Sequence, residues 1–360
     1  MTISQDTGQP RRILIYRLGS LGDTVVALPA LRLIARAFPE AERWILTNFS
    51  ISTKAAPLAE ILDGTGLVHG YIEYPLGLRN VRKLLDLRRR IRRHRFERLI
   101  YLQPPRGGFF KALRDATFFY SCGIGALIGV PYRTEFQRCK QLDEGHYEYE
   151  GARLLRCISA LGQQDLDDPS AFDLCLSPAE QEAAINAIAA LNPRKPIIAA
   201  SIGAKLDLKD WEDDNWAALF EDLSRTHPEA QLILVGAGVE YNRSQRLAQH
   251  WHGLSLNLCG LLTVRETAVV LSRARLFIGH DSGPMHLAAA VKTPCVAIFS
   301  ARNQPGEWFP HGRHHRIFYK SVPCRGCQLM VCEHQQKRCI RSITVDEVRS
   351  AVLELMVNQQ

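Results

Sequence analysis

Apolar and polar positions along this chain alternate between short buried-strand runs and longer amphipathic runs. Residues 12–16 (Arg-Ile-Leu-Ile-Tyr) form a strand pattern, and a loop with two glycines follows at 17–22. Apolar residues at 25, 26, 28, 31, 33, 34 and 37 then predict a broad-faced helix over 23–38. Further strand runs lie at 44–47, 68–74, 99–103 and 126–130, with helical patterns at 50–62 and 146–161. The polar, acidic stretch 163–170 ends in Pro-Ser and reads as a linker. Beyond it, Ser177-Pro178-Ala179-Glu180 gives a cap, a first-turn proline and a first-turn acid, which together start a helix. Strands at 196–201, 231–235, 255–258, 276–278 and 295–299 alternate with helices at 214–224, 240–250, 263–274 and 285–291. Such alternation predicts α/β architecture with a parallel, doubly wound sheet in each half and a cleft between them. The expected division is 1–165, 171–340 and a last helix at 344–358.

One βα turn has the pattern of an anion site. The strand at 276–278 runs into His280-Asp281-Ser282-Gly283, and Pro284 suits the first helical turn, where its missing N–H costs nothing. Asp281 and Ser282 stand where helix caps stand. Free N–H groups of the first turn, added to the helix dipole, attract a phosphate. A comparable turn follows the first strand, where Ser20-x-x-Asp23 reads either as a capping box or as a carboxylate set at the mouth of the sheet.

Composition narrows the class. The 360 residues are 46% hydrophobic and 23% charged, an ordinary globular balance that suffices for two domains. No apolar run reaches 18 residues, and the first ten residues lack an apolar secretion core, so the expected location is the cytoplasm. The formal net charge of +8 points to an acidic partner. Residues 79–98 carry ten Lys/Arg against Asp86 and Glu97, with Leu84, Leu87 and Ile91 on one helical face. That segment is either a solvated helix face or a surface for anionic lipid or a phosphorylated acceptor. No recognised nucleic-acid motif accompanies it, so nucleic acid is not expected.

Four strings carry a family resemblance. Arg17-Leu18-Gly19-Ser20-Leu21-Gly22-Asp23, followed by Leu28-Pro29-Ala30-Leu31, is similar to the N-terminal signature of glycosyltransferase family 9. Asp281-Ser282-Gly283-x-x-His286-Leu287-Ala288-Ala289 resembles its C-terminal signature. Lys209-Asp210-Trp211 resembles the family's Lys-x-Trp motif, and Gly236-Ala237-Gly238 with Glu240 resembles its nucleotide loop. His280 departs from the pattern, which often has Asn there. The resemblance implies a GT-B fold, two Rossmann-like domains facing across a cleft, with the last helix (344–358) packing back on the N-terminal domain. It also implies inverting transfer of a heptose from ADP-heptose to a lipopolysaccharide-core acceptor at the cytoplasmic face of the inner membrane, with no metal required for catalysis. Asp23 is then the catalytic base. The donor residues are Ser201, Lys209, Gly236, Glu240, Asp281, Ser282, Gly283 and His286. Apart from the resemblance, Ser20 and the flexible, cationic loop at Arg106-Gly107-Gly108 are expected to border the acceptor. Alternatives are a UDP- or GDP-sugar enzyme of the same fold, or a non-catalytic scaffold associated with membrane or nucleic acid.

Cys324-x2-Cys327-x4-Cys332-x6-Cys339 has the look of four ligands for one structural Zn or Fe, with free thiols or disulfides as the other readings. His311, His314 and His315 nearby read as a surface turn.

Overall fold

The structure is a computed structural model that describes residues 9–48, 58–75, 80–104, 107–143, 145–333 and 335–357. The first half contains β1 (Arg12–Tyr16), α1 (Leu21–Ala37), β2 (Glu42–Thr47), α2 (Ala59–Leu62), β3 (Gly70–Glu73) and α3 (Val81–His94). It continues through β4 (Arg98–Tyr101), α4 (Gly108–Ser121), β5 (Ala126–Ile128), α5 (Thr134–Gln137) and α6 (Glu150–Cys157). The second half contains α7 (Pro178–Ala187), β6 (Ile197–Ser201), α8 (Asp213–Thr226), β7 (Gln231–Leu234), α9 (Tyr241–Ala248) and β8 (Ser255–Asn257). Then come α10 (Val264–Ser272), β9 (Leu276–His280), α11 (Gly283–Ala290), β10 (Cys295–Phe299), β11 (Arg316–Tyr319), α12 (Arg338–Arg341) and α13 (Val345–Val357).

Both sheets are parallel throughout, with orders β3-β2-β1-β4-β5 and β11-β10-β9-β6-β7-β8. Each order reverses once, between β1 and β4 in the first sheet and between β6 and β9 in the second. Ligands of open α/β sheets bind outside the strand C-termini at such a reversal. The central strands β6, β9 and β10 are buried at every residue, as expected where helices cover both faces. Register there pairs Ala200 with Leu234 on one side and with Ile278 on the other.

The halves share one core. Ile13, Val25, Leu28 and Leu31 from the first cluster with Met285, Leu287 and Phe299 from the second. Buried Arg265 on α10 adds a polar tie. Its guanidinium donates to Ile61 O (3.1 Å), Leu174 O (2.8 Å) and Cys175 O (3.0 Å), and it pairs with Glu180 on α7 at 2.5 Å. Backbone bonds from Tyr147 N to Pro305 O (2.8 Å) and from Glu150 N to Glu307 O (2.9 Å) join the halves again.

Three expectations need correction, and helix α4 is an addition to them. The last helix does not return to the first half. Val348, Ala351, Val352 and Leu355 of α13 pack with Trp216, Leu219 and Leu223 of α8, because its apolar stripe fits the uncovered face of the second sheet. The pattern at 146–161 yields only α6 and a 3₁₀ turn at Ser159–Leu161. Helix α4 was not foreseen: Ala112, Ala116 and Phe119 go inward while Phe109, Phe110 and Leu113 are exposed, so no single stripe marks it. The turn at 311–315 is more than surface. His311 stacks on Phe172 at 4.9 Å, and His315 accepts the Cys295 N–H through Nδ1 at 3.0 Å. Of the expected helix at 50–62, residues 50–57 lie outside the described residues.

Candidate active site

The loops at the strand C-termini bring the two halves' chemistry together. After β9 the chain turns at Ser282, whose extended backbone caps α11, and Gly283 and Pro284 occupy the first turn. The opening N–H groups of a helix have no intrahelical acceptors. The Ser282 hydroxyl beside them is buried and, among the described residues, has no hydrogen-bond partner. Asp281, one residue earlier, binds Lys209 Nζ through Oδ2 at 2.5 Å and accepts from Asn303 Nδ2 at 3.3 Å. The ammonium also reaches Asp281 O at 3.2 Å, so Lys209 is tethered at the helix start. A cation, unsatisfied N–H groups and an unpartnered hydroxyl therefore meet at the second sheet's reversal, a suitable cradle for an anion.

The Lys209 loop is held by His280, which is fully buried. Its Nε2 accepts the Trp211 N–H at 3.0 Å and its Nδ1 faces Gly203 O at 3.3 Å. These partners require the neutral tautomer with the proton on Nδ1. Burial pushes the His280 pKa down to about 4. Arg243 braces the same loop, donating to Asp210 (2.7 and 2.9 Å) and Ile202 O (3.3 Å).

A second element lies beyond β7. Glu240 Oε2 accepts the Ala237 N–H at 2.9 Å. A Cβ added at Gly203 would lie 1.8 Å from Glu240 Oε1, and one added at Gly236 would lie 2.3 Å from Oε2. The carboxylate thus sits against two bare backbones, at the ends of β6 and β7. Ser201 is buried at the end of β6, where it pairs with Gly279.

The first half contributes Asp23 from the opening turn of α1. Its Oδ2 accepts from Ser20 N (2.8 Å) and Ser20 Oγ (2.9 Å), so the capping arrangement does form. Buried Arg17 anchors the turn by donating to Leu102 O (2.6 Å) and Asp23 O (2.5 Å). The cap does not take Asp23 away from the cleft. A Cβ added at Gly22 would lie 2.8 Å from His286 Cδ2, and His286 lies within the electrostatic reach of Asp23 and Asp281. Burial pushes the His286 pKa down to about 4, against the pull of those two carboxylates.

The expected donor residues divide between the α11 start (Lys209, Asp281, Ser282, Gly283, His286) and the Glu240 element (Gly236, Glu240). Arg106 lies outside the described residues. Cys324, Cys327, Cys332 and Cys339 line one cavity of about 160 Å³ next to Leu208. All four are free thiols, and among the described residues no three His, Cys, Asp or Glu side chains are close enough to hold an ion. Sequence reasoning missed Gly203, Asn303, Arg17 and the structural use of His280. The local signals were a lone glycine after β6, the place of Arg17 in the N-terminal string and the departure at His280.

The model of glycosyltransferase family 9 (heptosyltransferase) matches residues 84–338. Lipopolysaccharide heptosyltransferase 1 of Pseudomonas aeruginosa is 25% identical over 340 residues, 90% of this chain and 88% of that protein. Lipooligosaccharide heptosyltransferase 2 of Campylobacter jejuni is 25% identical over 171 residues, 46% of this chain and 52% of that protein, so about half of that relative is spanned. The solved structure of ADP-heptose lps heptosyltransferase II from E. coli has a TM-score of 0.67 at 18% identity, covering 97% of this chain and 99% of that one. That likeness identifies the two facing sheets as a GT-B fold.

The buried imidazoles make stability depend on pH. Unfolded histidines bind protons below about 6.5, whereas His280 and His286 resist protonation down to about 4. Their contribution is complete above about pH 6.5 and declines as pH falls toward 4. Urea unfolding at pH 7 and pH 5 should show this fall. His280→Asn should remove about one proton from the uptake on unfolding at pH 5; an unchanged uptake would contradict the assignment.

Proposed function

The chain belongs to glycosyltransferase family 9, and on that premise we propose that it transfers a heptose from ADP-heptose, with inversion, to an anionic lipopolysaccharide-core acceptor. The observation that carries the reading is the start of α11, where a buried unpartnered Ser282 hydroxyl and Lys209 meet within reach of Asp23's half of the cleft. Residues 1–165 would serve the acceptor and residues 171–340 the donor. The proposed place of work is the cytoplasmic face of the inner membrane, where such an acceptor would be presented; among the described residues no helix is long and apolar enough to cross a membrane.

In this mechanism the donor diphosphate lies against the N–H groups of Gly283 and Met285, the Ser282 hydroxyl and the Lys209 ammonium. Glu240 accepts hydrogen bonds from the ribose hydroxyls. An acceptor hydroxyl attacks the anomeric carbon from the face opposite the diphosphate. As the new C–O bond forms, the bond to the diphosphate breaks, and Asp23 takes the hydroxyl proton. Ser20 donates twice to Asp23 Oδ2 and so fixes the carboxylate's direction. Charge that develops on the leaving ADP meets donors already in place, which is the main source of such stabilisation. No step requires a divalent cation.

Asp23→Asn separates base from binding. It should lower kcat by about 10²–10⁴-fold with ADP-heptose and a purified glycolipid acceptor, the usual range for general-base help. ADP affinity should stay within about twofold, since Asp23 does not hold the nucleotide in this mechanism. Retained turnover would remove Asp23 from the role of base.

Gly203→Ala tests Glu240. The new methyl would meet the mobile end of a side chain, so it displaces the carboxylate with little strain on the fold. Calorimetry should show ADP binding weakened by about tenfold, the loss of about one strong hydrogen bond. The melting temperature should hold; unchanged ADP affinity would exclude Glu240 as a ribose ligand.

The only support for a structural Zn or Fe is that Cys324, Cys327, Cys332 and Cys339 line one cavity; among the described residues no three ligand side chains lie close enough to hold an ion. Metal analysis of purified protein should find about one ion per chain if a tetrahedral site closes there. Metal-free protein with four titratable thiols in this segment would dismiss the ion.

A further inference from the structure

Helices α3 and α4 cover the same face of the first sheet. Leu87 and Ile91 from α3 and Phe119 and Cys122 from α4 share a cluster with Leu14, Tyr16, Leu99 and Tyr101. The helices touch near the α4 C-terminus, where Arg88 and Arg92 donate to Ser121 O at 2.8 and 3.3 Å. Each follows a parallel strand of one sheet, so both begin at the strand C-terminal edge, the edge that carries Asp23.

That edge is unusual in what it exposes. Phe110 is 83% exposed and Val81 is 68% exposed, and Phe109, Leu113, Leu84 and Leu85 are also on the surface. All six lie in the first two turns of α3 or α4. Phe109 lies against Phe110 (5.8 Å between ring centroids) and near Tyr132 (6.5 Å), giving an aromatic tip. Exposed cations run along α3 from its first turn to its last. Among the described residues, Arg82, Lys83, Arg89 and Arg93 form no ion pair with a carboxylate, and Asp86 pairs with Arg90 at 3.3 Å. A solvated helix face explains the arginines but not the phenylalanines. Exposed aromatic and aliphatic groups among unpaired cations fit the boundary between headgroups and acyl chains of an anionic bilayer.

We propose that the opening turns of α3 and α4 form one docking face for an anionic bilayer, with Phe109 and Phe110 entering the interface and the α3 cations lying on the headgroups. The proposal rests on the transferase reading for its purpose: docking there brings the Asp23 edge of the first sheet to the surface from which a lipid-linked acceptor arrives. Phe109 and Phe110 lie outside the nucleotide machinery described above. Their substitution therefore separates docking from donor binding.

The test is co-sedimentation of the full chain with vesicles of phosphatidylglycerol and phosphatidylethanolamine, beside phosphatidylcholine vesicles, at low and at 0.5 M salt. Binding to the anionic vesicles that weakens with salt is expected. Phe109→Ser with Phe110→Ser should cut partitioning by about tenfold. Arg82, Lys83, Arg89 and Arg93, all changed to Gln, should abolish the preference for anionic vesicles. ADP calorimetry on the same preparations should give the wild-type affinity and show that both variants are folded. ADP binding without vesicle binding would overturn the docking face and spare the transferase reading. Vesicle binding without ADP binding would do the reverse. Wild-type partitioning by both variants would overturn the proposal. So would tighter binding to single-stranded RNA than to anionic vesicles at equal salt, or a dimer in light scattering that the Phe109 and Phe110 changes dissolve.

Discussion

Two glycines set how closely the halves of this molecule approach. Gly22, in the first turn of α1, lies against the imidazole of His286; Gly283, in the first turn of α11, lies against Leu21, and a Cβ there would come within 2.6 Å of that side chain. Each half offers a bare backbone where the other offers a side chain. A methyl at either place would push the helix starts apart. With both absent, the N-termini of α1 and α11 pack together, and their loops bring Asp23, His286, Lys209 and Asp281 into one cleft. Everything proposed about the chemistry depends on that approach, because the candidate base and the candidate phosphate cradle come from different sheets.

Around this contact the structure spends its charge sparingly. His280 and His286 are buried neutral, so neither imidazole buries a charge where it holds the loop and the helix start. Buried Arg17 and Lys209 are the charged exceptions: Arg17 donates to Leu102 O and Asp23 O, and Asp281 holds the Lys209 ammonium and accepts from Asn303. Neutralised by Asp281, the ammonium remains beside the open end of α11. A nucleoside diphosphate would thus meet donors fixed before it arrives, the condition under which electrostatic stabilisation is most effective.

Local features were legible in the sequence. The α11 start could be read because a cap, a glycine and a first-turn proline stand side by side. The Ser20/Asp23 cap could be read for the same reason, and alternation gave both parallel sheets. Contacts between distant loops were not legible. Nothing near Gly203 announces Glu240, and His280 stood out only as a departure from a familiar string, although its partners are the Trp211 N–H and Gly203 O. Helix α4 stayed hidden because its exposed phenylalanines break the amphipathic stripe, and the fit of α13 to the second sheet depends on a groove that no local pattern describes. The thiols carry a metal-like spacing, yet loop geometry decides whether sulfurs come within ligand distance.

The central claim is that the start of α11, Lys209 and Glu240 together hold an adenine nucleotide diphosphate. Titration calorimetry of the full chain with ADP, UDP and GDP tests it most directly. The account predicts one ADP site per chain, with UDP and GDP weaker by about tenfold or more, equal to about 1.4 kcal/mol of selectivity. Preference for UDP or GDP would contradict the ADP-sugar assignment, and absence of binding by all three would contradict the site itself.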